Sequence, residues 1–118
     1  MATLTLGIKN LMGVLGGPRG EIHSPFKKLV DIVAEILPTL TIIDAYRILL
    51  RNGPQGGDPK DVKLTKTLIM SPCTVAADYT AVSLFDMKPL DIELLQEAVK
   101  RNLNKVALPV ANLKKIVL

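Results

Sequence analysis

Three ionisable side chains of this sequence could do chemistry if the fold brought them together. Asp44 ends an apolar run, Asp78 lies in a later apolar segment, and His23 is the chain's single histidine. Two carboxylates and an imidazole can hold a divalent metal ion or act as general acid and base. An aspartate after a strand also commonly accepts hydrogen bonds in a turn or at a helix start, so a structural role competes with a catalytic one.

Two glycine-rich loops are the second group of candidates. Residues 16–20 read Gly-Gly-Pro-Arg-Gly, and residues 51–59 read Arg-Asn-Gly-Pro-Gln-Gly-Gly-Asp-Pro. Neither loop has the spacing of a P-loop or of a dinucleotide-binding turn. Glycine reaches positive φ without steric cost, so either loop could hold an anion through its backbone N–H groups, with Lys9, Arg19 and Arg51 near in sequence. A loop of this composition can also be a plain connection.

The one cysteine, Cys73, has no obvious paired base, which favours a plain buried thiol over a nucleophile. A single cysteine cannot form an internal disulfide, as expected in a reducing compartment. It also cannot hold an iron–sulfur cluster by itself, so no such cofactor is expected on this chain.

The composition indicates one α/β domain over residues 1–118 and argues against a nucleic-acid surface. Of the 118 residues, 48% are hydrophobic, yet there is no Trp and there are only two Phe and two Tyr. A core made of Leu, Ile, Val and Ala is typical of an α/β layer fold. The net charge of +4 comes from 15 basic and 11 acidic residues spread along the chain. Nucleic-acid binders usually concentrate basic residues on one face and add aromatic groups for stacking.

A cytoplasmic location without a membrane partner is expected. No apolar run approaches the roughly 18 residues of a membrane span. The start, Met1 to Leu6, lacks the basic region of a secretion signal.

Apolar periodicity predicts several helices and three short strands. Ser24 and Pro25 suit the start of a helix that Pro38 ends. Ser71 or Thr74 could cap another helix. The predicted helices cover residues 26–37, 75–85 and 91–102, and residues 4–15 favour a helix with a strand as the alternative. The predicted strands are Leu40–Asp44, Thr67–Met70 and Lys115–Leu118, the first two apolar on both parities as in strands buried on both faces.

These elements predict a small, mainly parallel sheet of three or slightly more strands, flanked by helices. Three strands make a thin sheet, which suggests that the chain is part of a larger layered domain. Uncovered apolar faces and strand edges favour a homo-oligomer or a partner half of the same domain.

Five short motifs follow one another along the chain. They are Lys9-Asn10-Leu11-Met12-Gly13, His23-Ser24, Leu40-Thr41-Ile42-Ile43-Asp44-Ala45, Asn52-Gly53-Pro54-Gln55-Gly56-Gly57 and Val75-Ala76-Ala77-Asp78. In this order they resemble the domain of unknown function 362 family, whose members are often described as iron–sulfur cluster-binding proteins. The resemblance implies that a ligand site should be sought at Lys9, Asn10, His23, Asp44, Asn52, Gly53, Gly56, Gly57 and Asp78.

Two departures limit what the resemblance implies. Family members have a longer domain with a further N-terminal half, and many carry ferredoxin-like cysteine motifs elsewhere. This chain resembles the C-terminal part of that domain, so the cluster-binding description cannot apply to it alone. The family commonly has Asp-Pro just before Val-Ala, where this chain has Cys73-Thr74.

Three hypotheses follow for the function. The first is a domain that contributes a small-molecule or anion site at the ends of its strands, within a redox-associated protein. The second is an enzyme that uses Asp44, Asp78 and His23 as metal ligands or acid/base groups, with both aspartates at one edge of the sheet. The third is a structural or interaction module with no site of its own.

Overall fold

The computed structural model describes residues 4–15, 26–53, 55–103, 114 and 116. Over these residues the chain is a mixed α/β fold with four α-helices and a two-stranded sheet. The elements are α1 (Gly7–Asn10), α2 (Phe26–Glu35), β1 (Thr41–Leu49), β2 (Val62–Ser71), α3 (Thr74–Val82) and α4 (Glu93–Lys100). Short 3-10 helices cover Leu11–Val14, Pro59–Asp61, Ser83–Phe85 and Pro89–Asp91.

The helices form where apolar periodicity predicts them. The helix predicted from residue 26 ends at Glu35, ahead of Pro38, and its Leu29, Val30 and Val33 are fully buried. Helix α4 has Glu93 in its first turn and Lys100 in its last, which complements the helix dipole. The favoured helix in the first segment is also confirmed, as α1 and the 3-10 helix that follows it.

The start of α3 differs from the predicted cap. Neither Ser71 nor Thr74 caps it, because the N-cap residue is Cys73 and no side chain makes a cap hydrogen bond there. The Ser71 hydroxyl accepts instead from the Cys73 N–H at 3.0 Å, outside the helix. The Ser24 cap predicted for α2 lies outside the described residues.

The expected parallel sheet is wrong for the two strands that the structure describes. Strands β1 and β2 pair antiparallel, from Thr41 opposite Ser71 to Leu49 opposite Val62. A parallel pair needs a crossover, usually a helix, whereas here a compact loop with one 3-10 turn joins the strands as a hairpin. The strand predicted at residues 115–118 falls mostly outside the described residues, and Ile116, which is described, is not in a strand.

The two strands are also longer than predicted, and one face of the hairpin is bare. On the covered face, Ala45 and Ile69 are buried, and Ile69 packs with Ala77 and Ala81 of α3. On the other face, the cross-strand neighbours Ile42 and Met70 are 56% and 58% exposed. The expectation that both faces are buried is therefore wrong, because the described elements, chiefly helix α3, cover only one side of the sheet.

A tight junction joins α1 to β1 and α3. The Asp78 carboxylate of α3 accepts the backbone N–H groups of Gly7 and Ile8 at 2.7 and 2.9 Å. Next to it, the hydroxyls of Thr41 and Thr74 are hydrogen-bonded at 2.7 Å. All of these polar side chains are buried, so each bond satisfies a group that water cannot reach.

Gly7 is the residue that permits this close approach. A Cβ at this position would lie 2.8 Å from the Asp78 Oδ1 and 3.2 Å from the methyl groups of Thr41 and Thr74. Its neighbours are held by the hydrogen bonds above, so they cannot move aside without breaking them. No positive φ is involved, and the requirement for glycine here is one of space.

We therefore expect Gly7→Ala to destabilise the fold by about 1–3 kcal/mol, the usual range for overpacking a filled core. Gly13→Ala is the matched control, because a Cβ at Gly13 meets nothing within 4 Å. The control should change stability little or raise it slightly. Urea unfolding of both variants measures the difference, and equal stabilities of the two would show that the junction accommodates a methyl group.

Candidate functional site

The glycine-rich loop between the strands is held in shape by one buried carboxylate. The side chain of Asp61 accepts the amide of Asn52 at 2.6 Å and lies 3.4 Å from the Arg51 Nε. The Asp61 backbone carbonyl accepts from the Leu50 N–H at 2.8 Å. Asp61 is only 7% exposed, whereas the Arg51 side chain is 75% exposed, so the carboxylate is shielded from water and the guanidinium is not. Sequence reasoning missed Asp61, although its position directly before a strand and opposite a turn asparagine is the kind of signal that marks a loop anchor.

Three residues of this loop adopt left-handed backbone conformations. The φ angles are 59° at Asn52, 66° at Gly56 and 132° at Gly57. The Gly56 N–H donates to the Asn52 carbonyl at 2.8 Å, which closes the turn. A Cβ at Gly56 would make ordinary contacts with Leu49 at 3.5 Å, so backbone conformation and not lack of space requires glycine there.

The loop and the adjoining strand ends line an open groove of about 780 Å³. We call it the loop groove, defined by Arg47, Leu49, Gly56, Gly57, Val62 and Leu64. Leu49, Val62 and Leu64 supply apolar walls, and Arg47 supplies a positive charge. Asp58 also borders the groove, and its carboxylate accepts the Lys60 N–H at 2.9 Å. The groove thus offers apolar surface, one guanidinium and exposed glycine backbone to a ligand.

The expected pairing of Asp44 with Asp78 does not occur. Asp78 is buried at the α1 junction. Asp44 lies within β1 with its side chain exposed, and its Oδ1 accepts the Tyr46 N–H of the same strand at 2.9 Å. Asp44 alternates with the inward-facing Thr41, Ile43 and Ala45, so it points to the face of the sheet opposite α3. The shared-site prediction is therefore wrong, because β1 runs past Asp44 and does not end there.

The remaining candidate residues fall into two groups separated by the length of β1. Lys9 and Asn10 follow the Asp78 contacts on α1, near Thr41, and the Lys9 Nζ lies 3.3 Å from the Thr5 hydroxyl. Asn52, Gly53, Gly56 and Gly57 lie at the other end of the strand, beyond Leu49. Eight residue steps at about 3.3 Å each separate these ends by about 26 Å. One small ligand cannot contact both groups. His23 lies outside the described residues.

Burial dominates the acid–base behaviour of Asp78. Removal from water raises the pKa of its carboxyl from 3.8 to about 6, and the N–H groups of Ile8 and Gly7 lower it by smaller amounts. Burial favours the neutral form, whereas donated hydrogen bonds favour the charged form. Each carboxyl oxygen accepts one backbone N–H, so the two hydrogen bonds match the charged form, which burial opposes.

Neither a metal centre nor a membrane span is found in the part of the chain that the structure describes. No three His, Cys, Asp or Glu side chains among residues 4–15, 26–53, 55–103, 114 and 116 could together hold a metal ion. Within the same ranges, no helix has the length and apolar character needed to cross a membrane.

Comparison with known proteins identifies the family. The model of the domain of unknown function 362 matches residues 1–83. The chain belongs to this family. The matched stretch of the domain of unknown function 362 includes α1, α2, β1, β2 and α3, and with them both the loop groove and the Asp78 junction. Helix α4 lies beyond it.

A curated relative of this family member is a thylakoid-associated protein of Synechocystis sp. The two are 31% identical over 114 residues, which is 89% of this chain and 35% of the relative. The chain thus spans about a third of the length of the relative that it matches. No solved structure matches the chain.

The raised pKa of Asp78 predicts a pH-dependent stability with a definite sign. The folded carboxyl binds a proton near pH 6 and the unfolded one near 3.8. Its contribution is therefore fully present below about pH 4 and is lost as the pH rises through 6. Relative to Asp78→Asn, the unfolding free energy of the unmodified protein should fall by on the order of 2 kcal/mol from pH 4 to pH 7.

Urea unfolding of the two proteins at a series of pH values measures this difference, and titrations shared by both cancel. The prediction would be contradicted if the unfolding free energy of the unmodified protein rose with pH relative to that of Asp78→Asn. Such a rise would mean that the hydrogen bonds from Gly7 and Ile8 outweigh burial and stabilise the charged carboxylate.

Proposed function

We propose that this domain binds a small anionic molecule with an apolar part in the loop groove. The observation that carries the proposal is the joint presence, in one groove of about 780 Å³, of apolar walls, the Arg47 guanidinium and the glycine backbone. Small-molecule sites commonly have volumes of about 300–1,000 Å³ and few polar groups placed among apolar ones. The groove has both properties.

Arg47 is the group we assign to the anion. A guanidinium presents paired N–H donors that match a carboxylate, sulfonate or phosphate. The Arg47 guanidinium carbon lies 5.3 Å from the centre of the Tyr46 ring, and this contact helps to orient the cation. From the loop, the Gly56 N–H already donates to Asn52, which makes the Gly57 N–H the candidate donor to a ligand.

Asp58 limits the charge that the ligand can carry. Its carboxylate borders the same groove and would repel a second negative charge on the ligand. One cation and one nearby carboxylate therefore favour a monoanion with an apolar body over a compact polyanion such as pyrophosphate.

Further parts of the proposal come from the family and from the relative. A place within a redox-associated protein is what the family resemblance implies, and a cytoplasmic location is what the sequence predicts. The relative's name associates that protein with thylakoids. Cell fractionation in the native organism would test the location, and recovery with membranes would contradict the cytoplasmic part of the proposal without affecting the groove.

The test uses amide NMR with two probes, a naphthalene sulfonate and pyrophosphate. We expect the sulfonate to shift the Gly56 and Gly57 amide signals and to bind more tightly than pyrophosphate. Arg47→Ala should weaken sulfonate binding roughly tenfold, the equivalent of one charge-assisted hydrogen bond. Unchanged sulfonate affinity in Arg47→Ala would contradict the role assigned to the guanidinium.

Gly56→Val tests the loop itself. A side chain at this left-handed position costs about 1–3 kcal/mol of strain, and the valine also narrows the backbone approach. We expect sulfonate binding to be lost at temperatures where the variant remains fully folded. Gly53→Ala is the control, because Gly53 has no positive φ and a Cβ there meets only Leu49, at 3.6 Å. If Gly56→Val lowers the melting temperature and leaves binding intact, the loop is structural.

A further inference from the structure

The face of the hairpin opposite α3 is unusually apolar for a surface. We call it the bare face, defined by Leu40, Ile42, Asp44, Tyr46, Leu68 and Met70. Its five large apolar side chains are between 47% and 61% exposed. Ile42 is paired with Met70 and Asp44 with Leu68, so these side chains form one continuous surface.

The bare face is large enough to be an interface. Five half-exposed side chains of this size present on the order of 500 Å² of apolar surface, which is comparable to the largest patch on a typical monomer. Both strands of the hairpin are also edges in the described part of the fold. A surface of this kind lowers its free energy when another apolar surface covers it.

Asp44 restricts what can cover this face. It lies among the apolar side chains, is exposed and forms no ion pair within the described part of the chain. An apolar partner would bury a carboxylate whose hydrogen bond from the Tyr46 N–H leaves its charge unpaired, which is unfavourable. The occupant must therefore combine an apolar surface with a cation placed to meet Asp44.

We propose that the occupant is a second copy of this chain, packed bare face to bare face about a two-fold axis. The chain itself provides an exposed cation at the border of the bare face, because Lys66 lies at the bulge of β2, next to the Ala45–Thr67 pair. Two-fold packing places each surface against its own equivalent, so an Asp44–Lys66 pair between the protomers occurs twice.

The area agrees with a dimer of this kind. Two bare faces together bury on the order of 1,000 Å² of apolar surface, which reaches the lower limit for a specific interface. Sheet-on-sheet packing at about 10 Å is the ordinary way to bury two such faces. The bare face and the loop groove share no defining residue, and they meet where the Tyr46 ring contacts the Arg47 guanidinium.

The first experiment measures mass by light scattering and sedimentation over a wide concentration range. We expect a dimer for the unmodified chain and a monomer for Met70→Lys, with at least a tenfold loss of dimer affinity. Leu90→Lys is the matched control, because Leu90 is 51% exposed and lies outside the bare face. It should remain a dimer. Circular dichroism and the melting temperature establish that both variants are folded.

The second experiment reverses the charges. Asp44→Lys and Lys66→Asp should each weaken the dimer, and the double variant should restore it, as expected for a pair that joins two protomers. Aspartate tolerates the left-handed backbone of Lys66, where φ is 48°, so folding should be kept.

Two results would overturn the proposal. One is a monomeric mass for the unmodified chain at every concentration together with a cooperative melt. The other is a dimer that survives Met70→Lys, which would place the interface elsewhere. A dimer that dissociates in Met70→Lys but shows no rescue in the double charge reversal would keep the surface and reject the Asp44–Lys66 pair.

Discussion

The fold depends on one carboxylate that bonds to backbone far away in sequence. Asp78 of α3 binds the N–H groups at the start of α1, 71 and 70 residues away, and so ties the first described helix to the layer formed by α3 and β1. The bond uses the space that Gly7 leaves, because a Cβ there would lie 2.8 Å from the Asp78 Oδ1. Helix α1 is a single turn and too short to be stable alone, so this tertiary bond decides whether it exists.

The same junction explains how the candidate site residues are distributed. Asp78 has a structural role in this junction, which also places Lys9 and Asn10 at one end of β1. The glycine loop lies at the other end. The family match covers both ends. The ligand site that we propose therefore lies in the loop groove, where Arg47 and Gly57 are exposed, and not at the buried Asp78 carboxylate.

Sequence reasoning located most helices because apolar residues at helical spacing are a strong local signal. It also located the glycine loop, because the positive φ angles of Gly56 and Gly57 are a local property that the sequence shows as glycine. It failed where geometry is long-range. Strand direction depends on the segment that connects β1 to β2. An apolar run such as residues 40–43 has the same sequence pattern whether one face of the sheet is covered or both are. The tie between Asp78 and Gly7 leaves no local trace in the sequence.

The extra residue in β2 has a consequence for how the chain behaves in solution. The pairs Ala45–Thr67 and Arg47–Leu64 leave β2 with one more residue than β1, and Lys66 there is left-handed. Open-ended stacking of strands into fibrils needs long, regular edges with little charge. The bulge makes the edge of β2 irregular, and Lys66 adds a charge there, so β2 meets neither condition. The hairpin can therefore expose a hydrophobic face while its edge opposes open-ended stacking of strands.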